Sequence, residues 1–162
     1  MRSFLPLLTA ALSAVPTATA LGRAYVRNNC HFDVSVWSVG SSISGPYRLG
    51  KDGGYYAETF AKDPVTGGKA LKVTIPANGL FTGAPQTIFA YNLDGGQVWY
   101  DLSDTFGDAF AGNKLVEYSA ESSCPPIVWG NGVPPGGSQV KVCTSSKDVS
   151  LILCAGSGGG NW

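Results

Sequence analysis

The stretch "TIFAYNLDGGQVWYDL", Thr87 to Leu102, sets two runs rich in β-branched and aromatic residues on either side of Asp94-Gly95-Gly96. That pattern predicts a tight β-hairpin, because aspartate and glycine take the positive φ values of a short hairpin turn at little cost. Working outward, the same grammar repeats. Arg23 to Arg27 and Phe32 to Val39 alternate with period two; in the second run Phe32, Val34 and Val36 face one way and Asp33, Ser35 and Trp37 the other. Further strands are expected at Tyr47 to Leu49, Tyr55 to Phe60, Ala70 to Ile75, Leu115 to Tyr118, Ile127 to Trp129, Gln139 to Cys143 and Val149 to Cys154. Asn28 to Cys30 fits either a tight turn or a bulge, and Lys51 to Gly54 is a strong turn signal. Only Ser103 to Ala111 has the makings of a helical turn. Closely spaced β segments with turn punctuation predict an all-β chain folded as an antiparallel β-sandwich.

The first twenty residues read differently. Arg2 is a short basic region, Phe4 to Val15 an apolar run, and Ala18-Thr19-Ala20 a small-residue cleavage site, which together predict a secretory signal peptide over 1–20. A single domain is expected over 21–155, followed by a flexible glycine-rich tail over 156–162. No later stretch has the roughly 18 unbroken apolar residues of a membrane span, so no membrane partner is expected. Without Arg2, ten basic residues face eleven acidic ones, and the basic residues are scattered singly. Such a chain has no field to hold a phosphate backbone, and nucleic acid is excluded as a partner.

Cys30, Cys124, Cys143 and Cys154 all follow the leader. An even count in an exported chain predicts two disulfides, for which three pairings exist. Their spacing contains no CxxC and His31 is the single histidine. Neither a metal site nor a cofactor is therefore expected. Serine hydrolase chemistry needs a base near an activated nucleophile, and no G-x-S-x-G elbow accompanies His31. The glycine pairs open no helix, as dinucleotide and phosphate loops require.

Asp101, Asp104 and Asp108 crowd into eight residues and form a candidate acidic cleft. An EF-hand reading fails, because Phe106 and Gly112 take the positions of the glycine and the closing glutamate. Glycoside hydrolysis needs two carboxylates across a cleft, one of them held protonated. The four-residue spacing of Phe106 and Phe110 instead predicts a helical turn that sends both rings into the core. On that reading Asp104 and Asp108 share the solvent side and Asp101 stays near the strand end, all three hydrated and ordinary in pKa. Tyr91, Trp99, Tyr100 and Trp129 are the candidate ligand-contact aromatics, with Trp129 expected on a projecting loop through Gly130-Asn131-Gly132.

Three phrases carry a resemblance: "VRNNCHFDVSVWSVGSS" at Val26 to Ser42, "GLFTGAPQTIFAYNLDGGQVWYDLSDTFGDAFAG" at Gly79 to Gly112, and "PPGGSQVKVC" at Pro134 to Cys143. The chain resembles the small secreted fungal proteins named after the yeast-phase-specific protein of Blastomyces, for which no reaction is established as a class. More distantly it is similar to the thaumatin-like proteins, β-sandwiches with an acidic cleft and, in some members, glucan binding or weak glucanase activity. That resemblance implies a Cys30–Cys154 bond, leaving Cys124–Cys143. It matches Tyr100, Asp101 and Ser103 to the cleft phrase but puts Phe106 where a second aspartate is expected and Tyr91 near the place of a glutamate. The implied function is non-enzymatic recognition of a cell-wall polysaccharide such as β-glucan, or of a host protein. A thaumatin-like glucan hydrolase and a structural secreted antigen without a ligand are the alternatives.

Overall fold

The computed structural model describes residues 20–156; the rest of the leader and the tail beyond Gly156 lie outside the described residues. The strands are β1 (Arg23–Asn28), β2 (Val34–Val39), β3 (Ile43–Leu49), β4 (Gly54–Thr59), β5 (Gly68–Thr74), β6 (Gln86–Asp94), β7 (Gln97–Thr105), β8 (Leu115–Ser119), β9 (Ile127–Trp129), β10 (Lys141–Thr144) and β11 (Val149–Leu153). One short helix, α1 (Gly79–Thr82), precedes β6. The strands form a five-stranded sheet in the order β4-β1-β11-β8-β9 and a six-stranded sheet in the order β10-β7-β6-β5-β2-β3. Pairing is antiparallel except between β1 and β11.

The predicted hairpin is the spine of the larger sheet. Asp94 pairs with Gln97, so Gly95 and Gly96 alone make the turn, with φ of 54° and 84°. Positive φ at both central residues is the signature of the turn whose twist matches that of the flanking strands. Alternation then sends Val98, Tyr100 and Leu102 of β7 and Phe89 and Tyr91 of β6 into the space between the sheets, where they meet Val26, Leu115, Trp129, Leu151 and Leu153. β2 lies inside the larger sheet between β5 and β3 and is buried on both faces over Val34 to Ser38.

Disulfides join Cys30 to Cys154 and Cys124 to Cys143. The first follows the last rungs of the parallel ladder, where Asn28 pairs with Leu153. The chain bends at Cys30 directly after β1, held by the buried Asn28 side chain. Its Nδ2 donates to the carbonyls of Phe32 at 2.8 Å and of Leu49 and Gly50 at 3.2 Å, and its Oδ1 accepts from the Cys30 amide at 3.0 Å.

Two expectations are overturned. β7 continues to Thr105, because its ladder with β6 runs on to Gln86, and no helix forms over Ser103 to Ala111; an isolated turn follows, the Ala111 amide donating to the Asp108 carbonyl at 3.2 Å. Phe106 then takes φ of 59° and Gly107 of 111°, which reverses the chain and leaves the Phe106 ring 67% exposed. Phe110 alone enters the core, 6.3 Å from the Phe32 ring. Trp129 does not project either. It is buried, and the loop after it folds back: the Gly112 amide donates to the Asn131 carbonyl at 2.9 Å, and a Cβ on Gly132 would lie 2.0 Å from the Phe110 carbonyl oxygen.

Candidate functional site

Residues of opposite parity from the core face outward on the six-stranded sheet and form a groove of about 500 Å³. Cross-strand register aligns Val39, Ala70, Ala90 and Asp101 in one row across β2, β5, β6 and β7. A second row holds Gly68, Asn92 and Trp99. Glycine and alanine at adjacent positions keep the floor low, so Trp99, 41% exposed, stands above it as a flat wall. Val140 lines the groove beside it, and Gly40 and Thr66 line it beyond β5.

That far wall is fixed by Asp63. Its carboxylate accepts from the Ser41 amide and hydroxyl at 2.8 Å, the Thr66 amide at 2.8 Å and the Val65 amide at 3.0 Å. The backbone amides of Thr66 and Ser41 hold the carboxyl far below the usual carboxylate range. Through these bonds the carboxylate clasps the Ser41 loop to the Val65–Thr66 loop.

Glu58 of β4 spans the sheets nearby, taking hydrogen bonds from the Tyr91 and Tyr56 hydroxyls and pairing with Lys69 Nζ at 3.0 Å. Burial raises its pKa, but the Tyr91 hydroxyl, the Lys69 ammonium and the Tyr56 hydroxyl outweigh this and hold it below the ordinary value.

Of the aromatics singled out in the sequence, only Trp99 offers its side chain to a ligand. Tyr91, Tyr100 and Trp129 are buried because strand alternation turns them inward. The Tyr100 hydroxyl donates to the Pro125 carbonyl at 3.2 Å, and burial with the nearby Glu117 pushes its pKa up to about 12.

The three aspartates do not form one cleft. Asp101 faces the groove, and burial raises its pKa. Asp104 lies three residues along β7 and points to the opposite side of the sheet, where the Thr87 hydroxyl donates to its Oδ1 at 2.6 Å. Asp108 is exposed on the following turn. Contrary to the hydrated arrangement expected, burial pushes the Asp104 carboxyl to about 7; Thr87 opposes this, and the neighbouring Asp108 carboxylate adds to it.

A carboxyl with a folded pKa near 7 and an ordinary unfolded value contributes stability that is full below about pH 4 and is lost as pH rises to about 7. Asp104→Asn removes that dependence. The variant should gain on the wild type by about 1 to 2 kcal/mol between pH 4.5 and pH 8, a value reduced for the partial exposure of the group. Urea unfolding at the two pH values measures it, and equal differences at both would refute it.

A further carboxyl went unnoticed in the sequence. Glu117 faces inward on β8 between Leu115 and Ser119 and is fully buried, with neither oxygen hydrogen-bonded among the described residues. Burial, with Asp101 adding, raises its pKa well above the usual range. The sequence signal was a lone acid at an inward position of LVEYS. Sealed between the sheets, it has no route to a ligand in the groove.

Among the described residues no group of histidine, cysteine, aspartate or glutamate is placed to hold a metal ion, and no helix is long and apolar enough to cross a membrane.

The family model of the Blastomyces yeast-phase-specific protein matches residues 11–155. The chain belongs to that family. It is 32% identical, over 93% of its length and 82% of the relative's, to an antigenic thaumatin-like protein of Arthroderma benhamiae. Its fold matches the protein elicitor MoHrip2 from Magnaporthe oryzae at TM-score 0.68 and 24% identity, covering 83% of this chain and 99% of that one. The thaumatin-like xylanase inhibitor TLXI follows at TM-score 0.50 and 12% identity, covering 81% and 98%. The sandwich of this yeast-phase-specific family member is thus thaumatin-like in fold.

Proposed function

We propose that this family member is an exported, non-catalytic recognition protein whose groove takes a neutral cell-wall polysaccharide of the β-glucan type. One observation carries the reading: the exposed Trp99 indole stands in register with Asn92 and beside Asp101 over a floor of Gly68, Ala70 and Ala90. A pyranose ring has an apolar C–H face that stacks on a flat indole, while its hydroxyls need donors and acceptors at the edge, which Asn92 and Asp101 supply. The aligned row crosses four strands, about 14 Å at the usual strand spacing, a length suited to an oligosaccharide rather than a single sugar. Export is supported by the leader pattern at 1–20, by the two disulfides and by the antigenic character in the name of the Arthroderma relative.

Hydrolysis is disfavoured by where the second carboxyl would have to be. Retaining and inverting glycosidases hold two carboxyl groups about 5 to 9.5 Å apart on either side of the scissile bond. Among the described residues the groove lining holds no carboxyl besides Asp101: Asp104 faces the other side of β7, Glu117 is buried, and Glu58 is taken up by Tyr91, Tyr56 and Lys69.

Calorimetric titration with a β-1,3-glucan oligosaccharide, with reducing ends assayed in the same samples, tests the reading. Trp99→Ala should weaken binding about tenfold or more, as truncation of an interfacial tryptophan does, with no change in the unfolding midpoint. Turnover by the wild type that disappears in Asp101→Asn would establish the hydrolase instead. Neither binding nor turnover would leave the host-protein or ligand-free antigen reading.

A further inference from the structure

A second constellation lies on the outer face of the five-stranded sheet, away from the groove. Pairing of β1 with β4 sets Arg27 directly opposite Tyr55. Tyr55 is 69% exposed, and its ring lies 6.5 Å from that of Tyr25, tilted by 37°. The Arg23 guanidinium sits 4.9 Å over the Tyr25 ring and is already paired with Asp148 at 3.8 Å. Arg27 differs. Its Nε donates to Asn29 Oδ1 at 3.1 Å, and among the described residues its two terminal nitrogens have no hydrogen-bond or ion-pair partner.

A guanidinium held through Nε presents its two terminal N–H groups as a fixed fork, the geometry that matches both oxygens of a carboxylate. An exposed phenol ring alongside is a platform for the apolar face of a sugar. We propose that Arg27 and Tyr55 form a second saccharide site, distinct from the Trp99 groove, that takes a polysaccharide bearing carboxylates, a uronic-acid chain. Charge complementarity directs such a chain to this face, since among the described residues Arg27 has no acidic partner, whereas the groove on the opposite sheet carries Asp101. An acidic peptide is the less fitting occupant. A peptide would add to the free edge of β4 through backbone groups, whereas the fork and the ring lie side by side on the face of the sheet.

The test is calorimetric titration of the mature protein with an oligogalacturonate of about six units, using a neutral β-1,3-glucan oligosaccharide and polyglutamate as comparators. The oligogalacturonate should bind with an affinity that falls as salt rises. Arg27→Ala and Tyr55→Ala should each weaken it about tenfold, and Arg27→Lys nearly as much, because lysine keeps the charge but loses the fork. Trp99→Ala should leave this binding unchanged, so failure here and failure of the groove reading are separable. No binding of oligogalacturonate, unchanged binding in Arg27→Ala, or equal binding of polyglutamate would each overturn the proposal.

Discussion

Replacing both Cys30 and Cys154 with serine should cost the fold about 5 kcal/mol, against about 3 kcal/mol for the pair Cys124 and Cys143. The difference follows from loop length: the first bond closes a sequence separation of 124 residues and the second one of 19. Loop closure costs the unfolded chain more entropy as the loop grows, though only logarithmically. The fold adds a second reason. Cys30 and Cys154 follow directly on the β1 and β11 ladder, so the bond holds together two strands from opposite ends of the chain. A domain of this size is stable by about 5 to 15 kcal/mol, so loss of the long staple takes a large share of the total. Urea unfolding of the two double variants measures both values; a larger loss at the 124–143 pair would contradict the assignment of the long staple as the main tether.

Phe110→Ala should cost about 3 to 5 kcal/mol, the range for emptying a phenylalanine site in a well-packed core. Its ring is fully buried against Phe32, and Gly132 closes on its carbonyl oxygen, so the neighbouring backbone has little freedom to collapse into the cavity. Phe106→Ala should change stability by about 0.5 kcal/mol or less, as surface substitutions do. Helical spacing predicts that the two residues behave alike; the structure predicts that they differ by several kcal/mol. Thermal unfolding of the pair decides, and similar large losses would mean that Phe106 is packed.

That contrast marks where the sequence stops being legible. The hairpin at Asp94 to Gln97 was readable because its turn chemistry is local, two glycines with positive φ between strand formers. β1, β2 and β4 were readable within about two residues for the same reason, local alternation bounded by turn residues. Phe106 was misread because its direction depends on β7 extending against Gln86, a partner twenty residues earlier whose pairing no local spacing encodes. Trp129 was misread because a glycine-rich loop looks the same in sequence whether it projects or folds back on Phe110. The groove was half visible: Trp99 and Asp101 stood out, but Ala70 and Ala90 become a floor only through register across three strands. Asp104 and Glu117 hid for a related reason, since their raised pKa values come from what the folded chain encloses around them.

The most direct test of the groove as a non-catalytic saccharide site is a nitrogen-15 NMR titration of the mature protein with a β-1,3-glucan oligosaccharide, followed by analysis of the recovered ligand. Saturable shifts of the Trp99 indole N–H, the Asn92 side-chain amide and the Ala70 and Ala90 backbone amides, with the oligosaccharide recovered intact, are the predicted result. Shifts confined to other surfaces, no shifts at all, or a ligand returned as shorter fragments would contradict it.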